Sequence, residues 1–205
     1  CPCRGSTLNG NAPQQSPPNT SIRGNSQVLS TVLFVLVIIL LAASPILLKQ
    51  YVLESRVISS ESMVPTLQVQ DRILINKLAY RFANPQRGDI VVFSLPDKPY
   101  QEYVKRLIGL PGETVKITGG RVYINGVPLQ EPYIKEPPKY EYGPVRVPDN
   151  AVFVLGDNRN MSLDSHMWNT WLTLDKIHGR AVYIFWPTER RQALVNPVTG
   201  RKAGL

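Results

Sequence analysis

Three segments of the 205-residue chain gather side chains able to do nucleophilic or acid–base chemistry. The first is Ser59-Ser60-Glu61-Ser62-Met63-Val64-Pro65-Thr66-Leu67, a cluster of hydroxyls running into a proline. Taken alone, serines ahead of a proline make a turn. The second is Tyr103-Val104-Lys105-Arg106-Leu107-Ile108-Gly109-Leu110-Pro111-Gly112, where a basic pair precedes apolar residues and a Pro-Gly turn. The third is Gly156-Asp157-Asn158-Arg159-Asn160-Met161-Ser162-Leu163-Asp164-Ser165-His166, a polar run that follows an apolar stretch ending at Leu155. Such a run, held by a core strand, is either a hydrogen-bonded corner or the wall of an active site. Loops and strand ends of this kind are where scaffolds carry their reactive groups.

The elements that must position these segments are strands. Apolar, β-branched runs at Arg72–Asn76, Asp89–Phe93, Val115–Thr118, Arg121–Asn125, Ala151–Leu155 and Ala181–Trp186 are short and punctuated by turn residues. Eighteen prolines and 14 glycines favour a turn-rich all-β body over a helical bundle. Asn125-Gly126 suits a tight hairpin, and Gly119-Gly120 marks another reversal just before it. The proline- and tyrosine-rich stretch Glu131–Pro148 reads as a long excursion over the surface.

Ahead of this body, Val28–Leu48 contains no charged residue. As a helix it would reach about 30 Å, the thickness of a bilayer's hydrocarbon core. It reads as a membrane span. A cleaved secretion signal is the alternative raised by Ala42-Ala43, and a buried core helix is the other, but the apolar run continues to Leu48 and favours a retained anchor. Arg23 on one side and Lys49 and Arg56 on the other leave the orientation undecided by charge. Residues 1–27 read as a disordered polar tail, 28–48 as the anchor helix and 49–205 as one domain with its own core. The net charge of +8 is compatible with nucleic acid, an anionic membrane or acidic substrates, and does not choose among them. Cys1 and Cys3 alone build neither a disulfide framework nor a zinc site.

Taken together, the three segments resemble the type I signal peptidases, membrane-anchored serine proteases that remove signal peptides from exported proteins. The resemblance spans roughly Ile58–Pro187 and the preceding anchor, and includes Arg87-Gly88-Asp89-Ile90-Val91-Val92-Phe93. It implies a mainly β catalytic domain, a barrel or sandwich of the signal peptidase type, behind one N-terminal transmembrane helix and on the extracytoplasmic or lumenal side of a plasma or thylakoid membrane. It implies that Ser62 is the nucleophile and Lys105 its general base. A solvated lysine is neutral in only about one molecule in a few thousand at pH 7. Lys105 must therefore be desolvated, and Val104, Leu107 and Ile108 are suitable neighbours. Arg106, next along the chain, should point to the opposite face. The same resemblance gives the oxyanion hole to Ser60 and the main-chain N–H of Ser62, and an extended chain would put the two serines on one side. It gives Ser162 the orientation of the lysine, and makes Asp157, Arg159 and Asp164 a scaffold of ion pairs. Ile58, Met63, Leu67, Tyr103 and Val104 would line shallow pockets for an extended peptide cut after small residues, typically Ala-x-Ala. Its partners would be precursor proteins and the lipid bilayer, and no metal, nucleotide or other cofactor is implied.

Some positions depart from the commonest family pattern. Glu61 separates the two serines where a small residue is frequent, and Met161 stands where Asn is usual. His166 replaces a frequent Arg, and Asp-Ser-His resembles the cyanobacterial and thylakoid branch. His166 also raises a rival, a Ser62–His166–Asp164 triad. His178, ahead of a core strand, reads as structural. The other competitors are a self-cleaving repressor, a catalytically inactive membrane-anchored peptide-binding paralogue, and a nucleic-acid binder. The first lacks its DNA-binding helices here, the second is opposed by the intact serines and lysine, and the third lacks interleaved aromatic and basic residues.

Overall fold

An uncharged apolar run can satisfy its backbone within one segment only as a helix, and the computed structural model forms α1 over Arg23–Tyr51. The structure describes residues 23–95 and 97–200. Within α1 the window Gln27–Ser44 has a mean hydropathy of 2.5, and its large apolar side chains from Val28 to Leu41 are exposed. The helix extends beyond 28–48 at both ends, because adding a residue to an existing helix gains a hydrogen bond without a new nucleus. Of the polar tail expected at 1–27, residues 1–22 lie outside the described residues. The chain divides into two compact units, Cys1–Ser44 and Pro45–Leu205.

The second unit is built almost wholly from antiparallel strands. In chain order these are β1 (Leu53–Val57), β2 (Arg72–Asn76), β3 (Ile90–Leu95), β4 (Lys98–Gly109), β5 (Thr114–Thr118) and β6 (Arg121–Ile124). There follow β7 (Val127–Pro128), β8 (Tyr142–Arg146), β9 (Ala151–Leu155), β10 (Leu172–Thr173), β11 (Ile177–Trp186) and β12 (Gln192–Ala193). One sheet runs β1-β2-β11-β3-β4-β9-β10, with β12 paired to β11, and the other runs β7-β6-β5-β8. Neither closes on itself, so of the barrel and sandwich expected from the resemblance the barrel is not formed. The larger sheet is nonetheless strongly curled. Arg56 on β1 bonds Glu102 on β4 although three strands lie between them in the sheet, and a flat sheet would hold those strands roughly 19 Å apart.

Three apolar clusters hold this unit together. Ile90 and Val92 of β3 enter one, with Ile58, Met63, Leu67 and Ile73, while Val91, Phe93 and Leu95 enter another with Leu107 and Val154. Alternation on one strand thus feeds two cores, which is why β3 is buried along its whole length. The third cluster joins the two sheets through Ile108, Val115, Ile117 and Phe153. Each fully buried aliphatic or aromatic side chain of this kind contributes about 1.5–3 kcal/mol. Asn125 and Gly126 take positive φ angles of 51° and 82° at the β6–β7 hairpin. The Glu131–Pro148 excursion does more than cross the surface, since it carries β8 and buries Tyr133 and Val147. As the free edge of its sheet, β8 tolerates Pro144, which conceals the strand in the sequence.

Candidate active site

Ser62 sits in a 3-10 turn, Glu61–Met63, between β1 and β2. Buried Met63 anchors that turn in the core, and the wall segment after β9 holds it from the other side. Asn158 donates its backbone N–H to the carbonyl of Ser62 at 3.0 Å and its side-chain amide to the carbonyl of Glu61 at 3.2 Å. Gly156 lies so close that a β-carbon on it would overlap Ser162 Oγ and the carbonyl oxygen of Ser62. The hydroxyls of Ser60 and Ser62 are 3.2 Å apart. Their approach comes from extended Ser60 entering the 3-10 turn, not from one continuous strand. The carboxylate of Glu61 turns to solvent, and it is not among the charges acting on Lys105.

Lys105 lies within β4, opposite Val91 of β3, and is only 4% exposed. Burial pushes its amine down to about 8, while the carboxylates of Asp164 and Asp157 hold it from falling further. At that value about a tenth of the amines are neutral at pH 7, against about one in a few thousand for a solvated lysine. Lys105, Ser60 and Ser62 line one groove of about 460 Å³. Ile58, Met63, Tyr103 and Val104 line it too, but Leu67 does not: it is wholly buried in the core beneath. Arg56, Val57, Ser59, Val92, Gln101, Glu102, Met161 and Leu163 complete the lining. The sequence reading gave none of these eight a place in the site, although Gln101 and Glu102 stand two and one places before the quoted Tyr103.

The wall behind the groove is an ion-pair network. Arg106 grips Asp157 through two bonds of 2.8 and 2.6 Å, donates to the carbonyl of Gly88 at 2.8 Å, and lies 4.1 Å from the centre of the Tyr133 ring. Thr66 Oγ1 donates to Asp157 as well, at 2.5 Å. Arg159 grips Glu131 at 2.8 and 2.6 Å and donates to the carbonyl of Gly156. Asp164 accepts from the N–H of Gly156 at 2.9 Å and pairs with His166 Nδ1. Asp157, Arg159 and Asp164 therefore all lie in the wall, but the sequence showed neither that Arg106 would pair with Asp157 nor that Glu131 would pair with Arg159. Ser162 Oγ is buried and makes no hydrogen bond, so the bond to Lys105 implied by the resemblance is not formed here. His166 does not line the groove. It stacks on Tyr140 at 4.0 Å, and the Ser62–His166–Asp164 triad is not assembled. His178 lies 3.3 Å from Glu102 at the surface.

Residues 28–186 match the family model described as signal peptidase, peptidase S26. A signal peptidase I from Leptolyngbya laminosa is 50% identical over 157 residues, covering 73% of this chain and 77% of the relative. The thylakoidal processing peptidase 1 of Arabidopsis thaliana is 38% identical over 155 residues, 71% of this chain and 45% of the relative. A crystal structure of a signal peptidase I from Enterococcus faecalis, 35% identical, covers 48% of this chain and 97% of that one with a TM-score of 0.43.

Proposed function

Because the chain belongs to the signal peptidase family, peptidase S26, we propose that it is a membrane-bound serine endopeptidase that removes N-terminal signal peptides by cutting after Ala-x-Ala-type sites. The observation that carries this reading is a buried Lys105, its amine brought to about 8, on the same groove as Ser62. The neutral amine of Lys105 takes the hydroxyl proton as Ser62 Oγ bonds to the scissile carbonyl carbon. Ser60 Oγ and the Ser62 N–H receive the oxyanion. Collapse breaks the peptide bond, and the lysine ammonium returns the proton to the departing amine. Water, deprotonated by the same lysine, then hydrolyses the acyl-serine. Ser162, with its buried hydroxyl unspent beside Ser62, is the group available to orient the amine. The open gap of the curled sheet accepts the substrate as an added strand, so that alternate side chains fall toward Ile58 and Val104. The apolar helix α1 serves as the anchor, and the catalytic unit faces the extracytoplasmic or lumenal side.

The test is cleavage of a purified precursor carrying an Ala-x-Ala site by the detergent-solubilised chain, with the cut located by mass spectrometry. Wild type should cut once, after the second alanine, and folded Ser62→Ala and Lys105→Met variants should be inert. Cutting by Lys105→Met at the wild-type rate would remove the lysine from its role. Binding without cutting by the wild type would leave a peptide-holding paralogue.

A further inference from the structure

The two walls of the groove run from Arg56 to Ser62 and from Gln101 to Lys105. The catalytic groups stand at the later end of both. At the earlier end the walls are tied together by side chains alone. Arg56 Nε lies 2.5 Å from Glu102 Oε2, and Arg56 Nη2 lies 3.1 Å from Glu102 Oε1. This bidentate pair bridges β1 and β4, the strands whose separation leaves the groove open. Glu54 also holds Arg56, at 2.5 Å, and His178 Nδ1 approaches Glu102 at 3.3 Å. The Arg56 guanidinium keeps the Glu102 carboxyl below the usual carboxylate range, so the pair is ionised at neutral pH.

Glu102 precedes Lys105 by three residues, about 10 Å along an extended strand, which is also the length of three residues of an added peptide. A substrate whose first three residues before the cut occupy the apolar stretch around Ile58 and Val104 must then leave the groove at the ion pair. We propose that Arg56 and Glu102 form a charge gate that reads the fourth and fifth residues before the cut and disfavours either sign of charge there. A basic side chain at the gate competes with Arg56 for Glu102, and an acidic one competes with Glu102 for Arg56. An uncharged side chain passes with the pair intact. This inference rests on the peptidase reading above, which sets the direction of the peptide.

The experiment uses the full chain in detergent and peptides with an Ala-x-Ala site bearing Ala, Lys or Glu at the fourth or fifth residue before the cut. A control peptide carries the same charge well after the cut. In wild type, Lys and Glu at the gate should each lower kcat/KM about threefold to fivefold relative to Ala, the size expected for disturbing a half-exposed pair. Raised salt should shrink the effect. The deciding readout is the Glu-to-Lys ratio of kcat/KM within each protein. Glu102→Gln should shift it toward Glu, and Arg56→Gln toward Lys, each by about fivefold. An unchanged ratio, or a shift of the same sign in both variants, would overturn the gate. Failure of wild type to cut even the Ala peptide would overturn the peptidase reading and the gate with it.

Discussion

In the proposed mechanism Lys105 is the residue on which the chemistry turns, and its burial has two consequences. Desolvation frees the amine for catalysis, but it also means that the folded chain binds this proton less tightly than the unfolded chain does. Activity should therefore rise as pH climbs through about 8, following the neutral amine, and a pH–kcat/KM profile checks this. The stability consequence is a cost that fades as pH rises. Above pH about 10.5 the amine is neutral in both states and costs nothing. As pH falls toward 8 the unfolded chain takes the proton and the folded chain does not, so stability declines, and below 8 the penalty is constant. Lys105→Met should thus be inactive yet more stable at pH 7, by on the order of 3 kcal/mol, with the gain fading between pH 8 and 10.5. Denaturant unfolding at pH 7 and pH 10 measures it, and a variant less stable at pH 7 would contradict the burial argument.

At the scale of elements, the Ser62 turn and the wall after β9 work as one piece because Gly156 lets them touch. Gly156→Ala would force Ser162 and the Ser62 carbonyl apart. We expect it to lower kcat by at least about tenfold while KM changes little, since a small misplacement of reacting groups is costly. Steady-state kinetics on the folded variant would show it. The Arg106–Asp157 pair fixes the same wall to β4 from behind. Both side chains are buried, so Asp157→Ala leaves a guanidinium without its partner and should cost about 3–5 kcal/mol in unfolding free energy. The sequence showed the acidic and basic members of this wall but not their pairing. Arg106 meets Asp157 across 51 residues and Arg159 meets Glu131 across 28, and periodicity reports only neighbours along one element. Similarly, β2, β3, β5, β6, β9 and β11 stand where apolar runs predicted strands. Most of β4 had no such signal, because Lys98, Glu102, Lys105 and Arg106 interrupt its apolar pattern.

The chain joins a helix, whose large apolar side chains from Val28 to Leu41 are exposed, to a β unit with its own cores. Among the described residues, the earliest member of the three clusters is Ile58, beyond the end of α1. A chain beginning at Pro45 should therefore unfold cooperatively with a midpoint within about 2 °C of the parent measured in the same detergent, as thermal scans can establish. Loss of the cooperative transition would mean that the helix contributes to folding.

Chemistry-bearing residue types, their order along the chain, the apolar span and most strands were legible in the sequence, because each is a local pattern of composition, period or motif. The motifs, through the family they resemble, singled out Ser62 and Lys105 as the candidate nucleophile and base. Tertiary structure alone decided that the sheet curls without closing, that Leu67 lies under the groove while Arg56 and Glu102 bridge its end, and that His166 belongs to Tyr140 and Asp164. It also set the environment of Lys105, since desolvation depends on everything packed around the amine and is written in no single stretch of chain.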